Sequence, residues 1–367
     1  MNYMPNQIPE RNKNKLPEAR THQSRPFSPE HLGLKCYFDA RWIGDHGIGR
    51  FAAMLDRRLK LSHLPVHGKP SSPTDPWQMT LAMRKLPANA ALFSPGYNAP
   101  LLLSRPFVFT IHDLNHLDRP ENSNFLKRLY YRLIIRRAAR QAFRVLTVSE
   151  FSRGRIIDWA NLDPARVVNV GNGVEPHFTP DAVPLTPGYP YLLCVGNRKA
   201  HKNEARVLEA FARAEIDPDI QLIFTGDATT QLTIISQEFA VEKRVSFLGR
   251  VTENNLPGLY RGALALLFPS LYEGFGLPVL EAMACGTPVL TANTTALPEV
   301  VGDAALLVDP LSVTQITRGI EQLCADESLR QELRQQGLTR AAEFTWDHVV
   351  ARVHSVLSEL PSAGEKP

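Results

Sequence analysis

Residues 269–288 read PSLYEGFGLPVLEAMACGTP and follow the apolar run 263–268, which predicts a buried strand. The glycines predict a tight loop after that strand, and the residues from Pro278 onward predict a helix that stops at Gly286. Pro278 suits the first helical position, where its missing N–H removes no hydrogen bond. The open amides of such a turn, together with the helix dipole, favour an anion. We assign the anion contacts to three backbone amides: Gly276, Leu277 and Val279.

Two acids flank this predicted anion site. Glu273 lies in the loop, and Glu281 follows eight residues later on the first helical turn. A carboxylate repels phosphate, so each acid is better suited to accept hydrogen bonds from sugar hydroxyls on either side of the phosphate. The alternative is a helix-capping loop with two solvated acids, and the spacing favours the functional interpretation without excluding the other.

Strand-like and helix-like stretches alternate along the chain on both sides of a proline-rich stretch at 180–190. Apolar runs such as 107–111 precede this stretch, and runs such as 191–195 and 220–224 follow it. Such alternation predicts parallel sheets covered by helices on both faces. We therefore predict an α/β fold of two doubly wound domains that face each other across a cleft, with ligands at the carboxyl ends of the strands.

The proline-rich stretch also places the predicted domain boundary. We assign residues 34–183 to an N-terminal domain and residues 184–345 to a C-terminal domain. Residues 1–33 contain five prolines and little apolar content, which predicts a disordered leader. The length of 367 residues fits two domains at about 150 residues each.

Composition narrows the class of protein. The four cysteines are far apart and fit neither a disulfide framework nor a zinc site. No segment approaches the roughly 18 consecutive apolar residues of a spanning helix, and the N-terminus has no signal-peptide core. We therefore expect a cytoplasmic protein.

The basic charge is concentrated in one segment. The whole chain carries a net charge of +4, whereas residues 127–144 carry +7 and no acid. This segment predicts a basic amphipathic helix over 124–144. Nucleic acid is disfavoured because no recognition motif accompanies it. An anionic membrane surface suits it better, and a solvated helix face is the alternative. The arginines step by four along one stripe: Arg128, Arg132, Arg136, Arg140 and Arg144. The predicted apolar side consists of Leu126, Leu129, Leu133 and Ile134.

The segment EGFGLPVLEAMACGTPV, at 273–289, resembles the retaining nucleotide-sugar glycosyltransferases of family 4, which have the GT-B fold. Further resemblances occur at 191–211 and 293–305. The resemblance implies that Glu281 binds the ribose of the donor and that Glu273 contacts hydroxyls of the donor sugar. It also implies that residues 346–360 form a helix that crosses back to the N-terminal domain.

The loop after residue 195 resembles the family's diphosphate-binding loop. Lys202 matches the phosphate-binding lysine of the family. Asn197 stands where an arginine is frequent, so we assign that role to Arg198, with Lys199 as the alternative. Two cations here would neutralise the departing diphosphate, a task that a metal performs in other enzymes. We expect no metal, because the only Asp-x-Asp sequence, at 217–219, reads as a turn.

Two sites in the N-terminal half complete the resemblance. Gly47 and Gly49 belong to a loop similar to the one that faces the donor phosphates in these enzymes. A nicotinamide-binding interpretation of this loop lacks the acid expected about twenty residues on. His112 and its neighbour Asp113 follow a predicted strand, and the resemblance places the imidazole of His112 against the donor sugar. A purely structural histidine is the alternative.

The expected activity is transfer of a hexose to a hydroxyl of a glycan or lipid-linked acceptor, with retention of configuration, in bacterial surface-polysaccharide synthesis. GDP-mannose is the favoured donor. A UDP-hexose donor is the nearest alternative. A catalytically silent nucleotide-sugar-binding GT-B protein and an epimerase of the same fold also remain open.

Overall fold

The computed structural model describes residues 34–361, so the predicted leader at 1–33 lies outside the described residues. The chain forms two six-stranded parallel sheets, each covered by helices, which confirms the predicted α/β architecture of two doubly wound units. The spatial orders of the strands are β2-β1-β3-β4-β5-β6 and β12-β11-β10-β7-β8-β9, numbered along the chain.

Short apolar runs form the strands of both sheets. The first sheet consists of β1 (Lys35–Phe38), β2 (Ser62–His63), β3 (Ala90–Ser94), β4 (Phe107–Thr110), β5 (Arg144–Thr147) and β6 (Val167–Asn169). The second consists of β7 (Tyr191–Cys194), β8 (Gln221–Phe224), β9 (Val245–Phe247), β10 (Ala265–Phe268), β11 (Val289–Ala292) and β12 (Leu306–Val308). Central strands such as β4 and β10 are buried along their whole length because helices cover both faces.

The helices of the first half are α1 (Gly47–Leu59), α2 (Asp75–Lys85), α3 (Asn115–Asp118), α4 (Phe125–Tyr130), α5 (Arg136–Gln141) and α6 (Glu150–Ala160). Those of the second half are α7 (Glu204–Arg213), α8 (Thr230–Glu238), α9 (Leu256–Gly262), α10 (Leu277–Ala284), α11 (Leu297–Val301), α12 (Val313–Ala325), α13 (Glu327–Ala341) and α14 (Trp346–Ser358). Single 3₁₀ turns occupy Ala40–Trp42, Pro120–Asn122, Pro164–Arg166, Ala200–Lys202 and Glu242–Arg244.

The last helix, α14, packs on the first half of the chain. Its first residue, Trp346, lies with its ring 6.1 Å from that of Phe51 in α1. Asp347 forms an ion pair with Arg58 at the other end of α1. The C-terminal segment therefore contributes to the core that α1 covers.

The basic segment forms one helix that differs from the prediction. A π-helical segment, Tyr131–Ile135, joins α4 to α5, and the helix ends at Gln141. Arg144 belongs to β5 and therefore does not lie on the arginine stripe. The guanidinium of Arg140 donates to the carbonyl of Ala160 at 2.7 Å.

The apolar side of this helix was predicted correctly only at Ile134, which is partly buried and packs on the core, and wrongly at the three leucines. Leu126, Leu129 and Leu133 are 73%, 38% and 56% exposed. The buried side consists instead of Tyr131, Ile135, Ala138 and Ala139. Both sets have helical spacing, so the sequence pattern alone could not decide which set packs on the sheet.

Candidate active site

The predicted site residues of the two halves meet at the carboxyl ends of the strands. The loop that contains Glu273 packs on the residues that follow β4, so that a Cβ on Gly274 would lie 3.0 Å from the carbonyl of His112. Arg119 donates to the carbonyl of Leu271 at 2.9 Å across the same junction. The structure therefore brings His112 and Glu273 into one cleft.

Glu273 is paired with the lysine predicted to bind phosphate. Lys202 Nζ lies 2.7 Å from Glu273 Oε1, and both side chains are 12% exposed. The ammonium also lies over the ring of Phe268, 4.7 Å from its centroid. The backbone N–H of Glu273 donates to Thr295 Oγ1 at 3.2 Å, which holds the loop in place.

Glu281 lies on α10 and is only 3% exposed. Its Oε2 accepts a hydrogen bond from the hydroxyl of Tyr260 at 2.9 Å. Its Oε1 lies 2.8 Å from Nη1 of Arg50, which belongs to the opposite half of the molecule. Apart from this ion pair, no donor among residues 34–361 forms a hydrogen bond to Oε1.

The N-termini of α1 and α10 face each other in the cleft. A Cβ on Gly47 would lie 3.8 Å from the side chain of Leu277, so the two helices begin within contact distance. Gly49 must be glycine, because a Cβ there would lie 2.2 Å from the carbonyl oxygen of Gly44. Two helix N-termini at one point make a favourable position for an anion. The N–H of Gly49 is already used, however, because it donates to Nδ1 of the capping residue His46 at 2.9 Å, so Gly47 remains the candidate of the two predicted glycines.

The amide assignments at α10 need one correction. The N–H of Val279 donates to the carbonyl of Gly276 at 3.0 Å, so it is already used. Leu277 and Pro278 are the first two helical residues, and Gly276 caps the helix with φ of +109°, which a residue with a side chain rarely adopts. Gly276 and Leu277 remain as the candidate anion-binding amides.

The structure also corrects the assignment of Arg198. Its guanidinium forms an ion pair with Glu204 at 2.6 Å and donates to three carbonyls. Those carbonyls belong to Thr225, Gly226 and Asp227. The guanidinium of Arg198 therefore stabilises the loops of its own half and is not available to a diphosphate. Lys199, the alternative, is exposed at the cleft. Burial of Lys127, on the other side of the cleft, lowers the pKa of Lys127, and the positive charge of Lys199 lowers it further.

His112 is held in one tautomer. Its Nε2 lies 3.0 Å from the carbonyl of Pro95, and a carbonyl only accepts, so Nε2 carries the proton and Nδ1 is an acceptor. Burial lowers the pKa of His112 to about 4, so the ring is neutral near pH 7. Its edge packs on Phe51 at 4.9 Å. Burial, and secondarily the charge of Glu273, raises the pKa of Asp113.

Sequence reasoning missed several residues of this site. Arg50 directly follows Gly49 of the glycine loop, and this position could have indicated that its guanidinium lies near the donor phosphates. Tyr260 and Thr295 gave no signal, because their contacts with Glu281 and Glu273 arise only in the folded chain. Thr295 has φ of +60°, a strained conformation for a β-branched residue and one that is concentrated at functional sites.

Residues 34–361 contain neither a cluster of side chains suited to a metal ion nor a helix suited to crossing a membrane. No three side chains of His, Cys, Asp or Glu converge there in a way that could hold a metal ion. None of the helices in that range combines the length and the apolar character that crossing a membrane requires.

Comparisons with known proteins agree with this geometry. A family model described as Glycosyl transferases group 1 matches residues 179–340, and one described as Glycosyltransferase Family 4 matches residues 55–178. The O-antigen chain mannosyltransferase B of Escherichia coli is 34% identical over 271 residues, which cover 69% of this chain and 70% of that protein. The O-antigen chain mannosyltransferase RfbU of Salmonella typhimurium is 30% identical over 235 residues, 62% of this chain and 64% of that protein.

A solved structure supports the fold. HepE of Anabaena, crystallised with UDP-glucose, superposes with a TM-score of 0.69 at 17% identity, over 89% of this chain and all of that one. The matched family models cover both halves of the molecule, and the predicted glycosyltransferase fold is confirmed. With the two glutamates, the lysine and the paired helix N-termini at one cleft, the chain belongs to the family 4 glycosyltransferases, enzymes of the GT-B fold.

Proposed function

We propose that this enzyme transfers mannose from GDP-mannose to a hydroxyl of a glycan or lipid-linked acceptor in the synthesis of a bacterial surface polysaccharide. The observation that carries the proposal is the 34% identity to an O-antigen mannosyltransferase over 69% of the chain. The cleft supplies the chemistry, because it combines buried carboxylates for hydroxyl groups with cations and helix N-termini for a diphosphate.

Each group in the cleft has a role in this proposal. Glu281 would accept hydrogen bonds from the ribose, and Glu273 from hydroxyls of the hexose. Lys202 and the amides at the starts of α1 and α10 would hold the diphosphate. Nδ1 of His112, which is neutral near pH 7, would accept a hydrogen bond from the hexose.

The proposed reaction retains the configuration of the anomeric carbon and needs no metal. The bond from that carbon to the phosphate oxygen breaks, and the acceptor oxygen bonds to the same face. The acceptor proton passes to the leaving phosphate oxygen. Lys202 and the helix N-termini would stabilise the charge that develops on the diphosphate as it leaves.

A lipid-linked acceptor is supported by the outer face of the first domain. Phe125, Leu126 and Leu133 are 69%, 73% and 56% exposed, and the exposed Arg128 and Arg132 lie between them on the same helix. Helix α2 packs on the same side of the sheet and exposes Trp77 and Leu81 at 60% and 50%. Exposed apolar side chains interleaved with arginine fit an anionic bilayer surface. We therefore place the enzyme on the inner face of the cytoplasmic membrane.

The proposal is tested by thermal-shift titration with GDP, GDP-mannose, UDP and UDP-glucose, followed by turnover with the sugar nucleotide that binds. A ligand at 100 times its Kd adds about 2.7 kcal/mol of stability. Stabilisation by the guanine pair, with release of GDP in the presence of acceptor, supports the proposal. Stabilisation by the uracil pair alone would replace the donor with a UDP-hexose. Binding without any transfer or hydrolysis would indicate a silent binding protein.

A further inference from the structure

We propose that Arg50 is the second cation of the donor diphosphate site, and that donor binding moves its guanidinium from Glu281 to the diphosphate. The inference rests on the proposed function, since it assumes a nucleoside-diphosphate donor. It assigns to Arg50 the role that sequence reasoning gave to Arg198.

The cleft contains two ion pairs of the same kind. Lys202 is 2.7 Å from Glu273, and Arg50 is 2.8 Å from Glu281. In each pair, a cation suited to phosphate occupies a carboxylate that the proposed function assigns to hydroxyl groups. Each of the two buried carboxylates therefore has a counterion, which avoids the cost of an isolated buried charge.

A donor supplies the opposite combination of groups. Its ribose and hexose hydroxyls are neutral donors that suit the two glutamates, and its diphosphate is an anion that suits the two cations. Oε1 of Glu281, which accepts no hydrogen bond from the described residues apart from its ion pair with Arg50, can accept one from such a hydroxyl once the guanidinium leaves. Binding therefore exchanges partners within the cleft: the carboxylates accept hydrogen bonds from hydroxyls, and the two cations pair with the diphosphate.

The available space requires that Arg50 move. The cavity bounded by Gly47, Arg50, Leu277 and Glu281 measures about 10 Å³. This is room for about one water molecule and not for a ribose. The ribose can therefore reach Glu281 only after the guanidinium leaves it and the two halves separate.

Arg50 lies where its guanidinium can contact a bound diphosphate. It lies on the first turn of α1, whose N-terminus faces that of α10 across the cleft. A diphosphate between these N-termini would lie beside the guanidinium, which binds phosphate oxygens through two parallel N–H bonds. Arg198 has no such freedom, because Glu204 and three backbone carbonyls already engage its guanidinium.

The test compares a nucleoside with its diphosphate. Calorimetric titration of wild type and Arg50→Gln with guanosine and with GDP separates the contact with the phosphates from the contact with the ribose. We expect Arg50→Gln to bind GDP about 10- to 100-fold more weakly, the range for loss of a charge-assisted hydrogen bond. Guanosine should bind at least as tightly as to wild type, because Glu281 is no longer occupied. Arg50→Lys should restore part of the GDP affinity.

Arg58→Gln is the matched control. Arg58 lies on the same helix and pairs with Asp347 of α14, away from the cleft, so its loss should leave GDP affinity unchanged. Equal weakening of guanosine and GDP in Arg50→Gln, or no change in either, would overturn the inference while the proposed function stands. Wild type that binds neither the guanine pair nor uridine and UDP would overturn the proposed function itself. Unfolding curves for each variant separate these outcomes from loss of the fold.

Discussion

Gly274 lies directly against Asp113 across the cleft. A Cβ atom on Gly274 would be 2.6 Å from the Cβ of Asp113 and 2.9 Å from its Oδ2. Contacts this short do not occur in folded proteins, so the absence of a side chain at residue 274 is what allows the loop of Glu273 to reach the residues after β4.

Gly274→Ala should therefore hold the two halves apart. We expect kcat to fall at least tenfold, since Glu273 and His112 would no longer meet around the same sugar. The Kd for GDP should rise as well, because halves held apart would keep Arg50 and the start of α1 away from a diphosphate bound beside Lys202 and Glu281. Gly154→Ala is the control: this helical glycine has open space at its Cβ, and alanine there should stabilise the protein by about 0.5–1 kcal/mol. Unchanged turnover in Gly274→Ala would mean that this close approach is not needed for catalysis.

The two glutamates should separate nucleotide binding from sugar binding. Glu281→Gln should weaken GDP binding through the ribose. Glu273→Gln should leave GDP binding unchanged or tighter, because Lys202 loses its 2.7 Å partner and becomes available to phosphate. Turnover should fall in both variants. Calorimetry with GDP and steady-state kinetics with GDP-mannose measure the difference, and an equal loss of GDP affinity in both variants would contradict it.

Lys202 and Arg198 should have different phenotypes. Lys202→Ala should weaken GDP binding and also lower the midpoint of unfolding, because the buried carboxylate of Glu273 loses its counterion. Arg198→Gln should lower that midpoint, because four acceptors around the guanidinium lose their partner. Removing one partner of a buried ion pair lowers the free energy of unfolding by about 3–5 kcal/mol in other proteins. GDP affinity of the folded Arg198→Gln protein should be close to that of wild type.

Metal independence is a separate prediction. Turnover should survive EDTA, since Lys202 and the helix N-termini are proposed to carry the charge of the leaving diphosphate. Complete loss of turnover in EDTA that manganese restores would contradict the proposal, whatever the phenotype of Lys202→Ala.

Stability should depend on pH through three histidines. Burial lowers the pKa of each of His112, His116 and His201 to about 4. An unfolded chain takes up protons at these positions below about pH 6.5. At these three positions the unfolded state thus binds more protons between pH 6.5 and 4, so the histidines lower the free energy of unfolding as the pH falls through this range. The raised pKa values of Asp75, Asp113, Glu204 and Glu299 act in the opposite direction.

The slope is at most about 1.4 kcal/mol per pH unit for each histidine, and less for His112 and His116, which both retain solvent contact. Urea titrations at pH 7.5, 6.5, 5.5 and 4.5 measure it. His112→Gln, which cannot ionise, should flatten part of the slope. An equal slope in wild type and in His112→Gln would contradict the assignment of a neutral ring to His112.

Membrane docking should depend on the exposed side of the helix that spans α4 and α5. Arg128→Gln, Arg132→Gln and Arg137→Gln together should release the enzyme from anionic vesicles, because each arginine is worth about 1 kcal/mol near such a surface. Binding of wild type should weaken steeply with salt. Leu126→Ser with Leu133→Ser should also weaken binding, without changing its dependence on salt. GDP affinity should not change in either variant.

The control for charge replaces three exposed basic residues elsewhere: Arg57, Lys243 and Arg318, each by Gln. Arg57 lies on α1, on the opposite face of the first sheet, and the other two lie in the second half of the chain. This variant loses the same charge and should keep its affinity for vesicles. If both triple variants bind equally well, the helix face is merely solvated.

Local patterns in the sequence accounted for the architecture and for part of the site. Alternating strand-like and helix-like stretches predicted two parallel sheets. They could be recognised because the hydrophobic period and the length of a strand or helix are properties of short segments. Glu273, Glu281 and Lys202 were found for the same reason, since each belongs to a short segment with a recognisable pattern. His112 was placed by its position at the end of a buried strand, where parallel sheets bind ligands.

Contacts between distant segments were decided only by the tertiary structure. Arg198 and Arg50 are both arginines beside a glycine loop, and nothing in the sequence says that Glu204 and backbone carbonyls engage the first while Glu281 pairs with the second. Likewise, helical spacing predicts that Leu126 and Leu133 share a face, but which face packs on the sheet depends on the helices beside it. Sequence by itself determined the segments and their chemistry, and the packing of the two halves decided which charges meet and which apolar surface stays exposed.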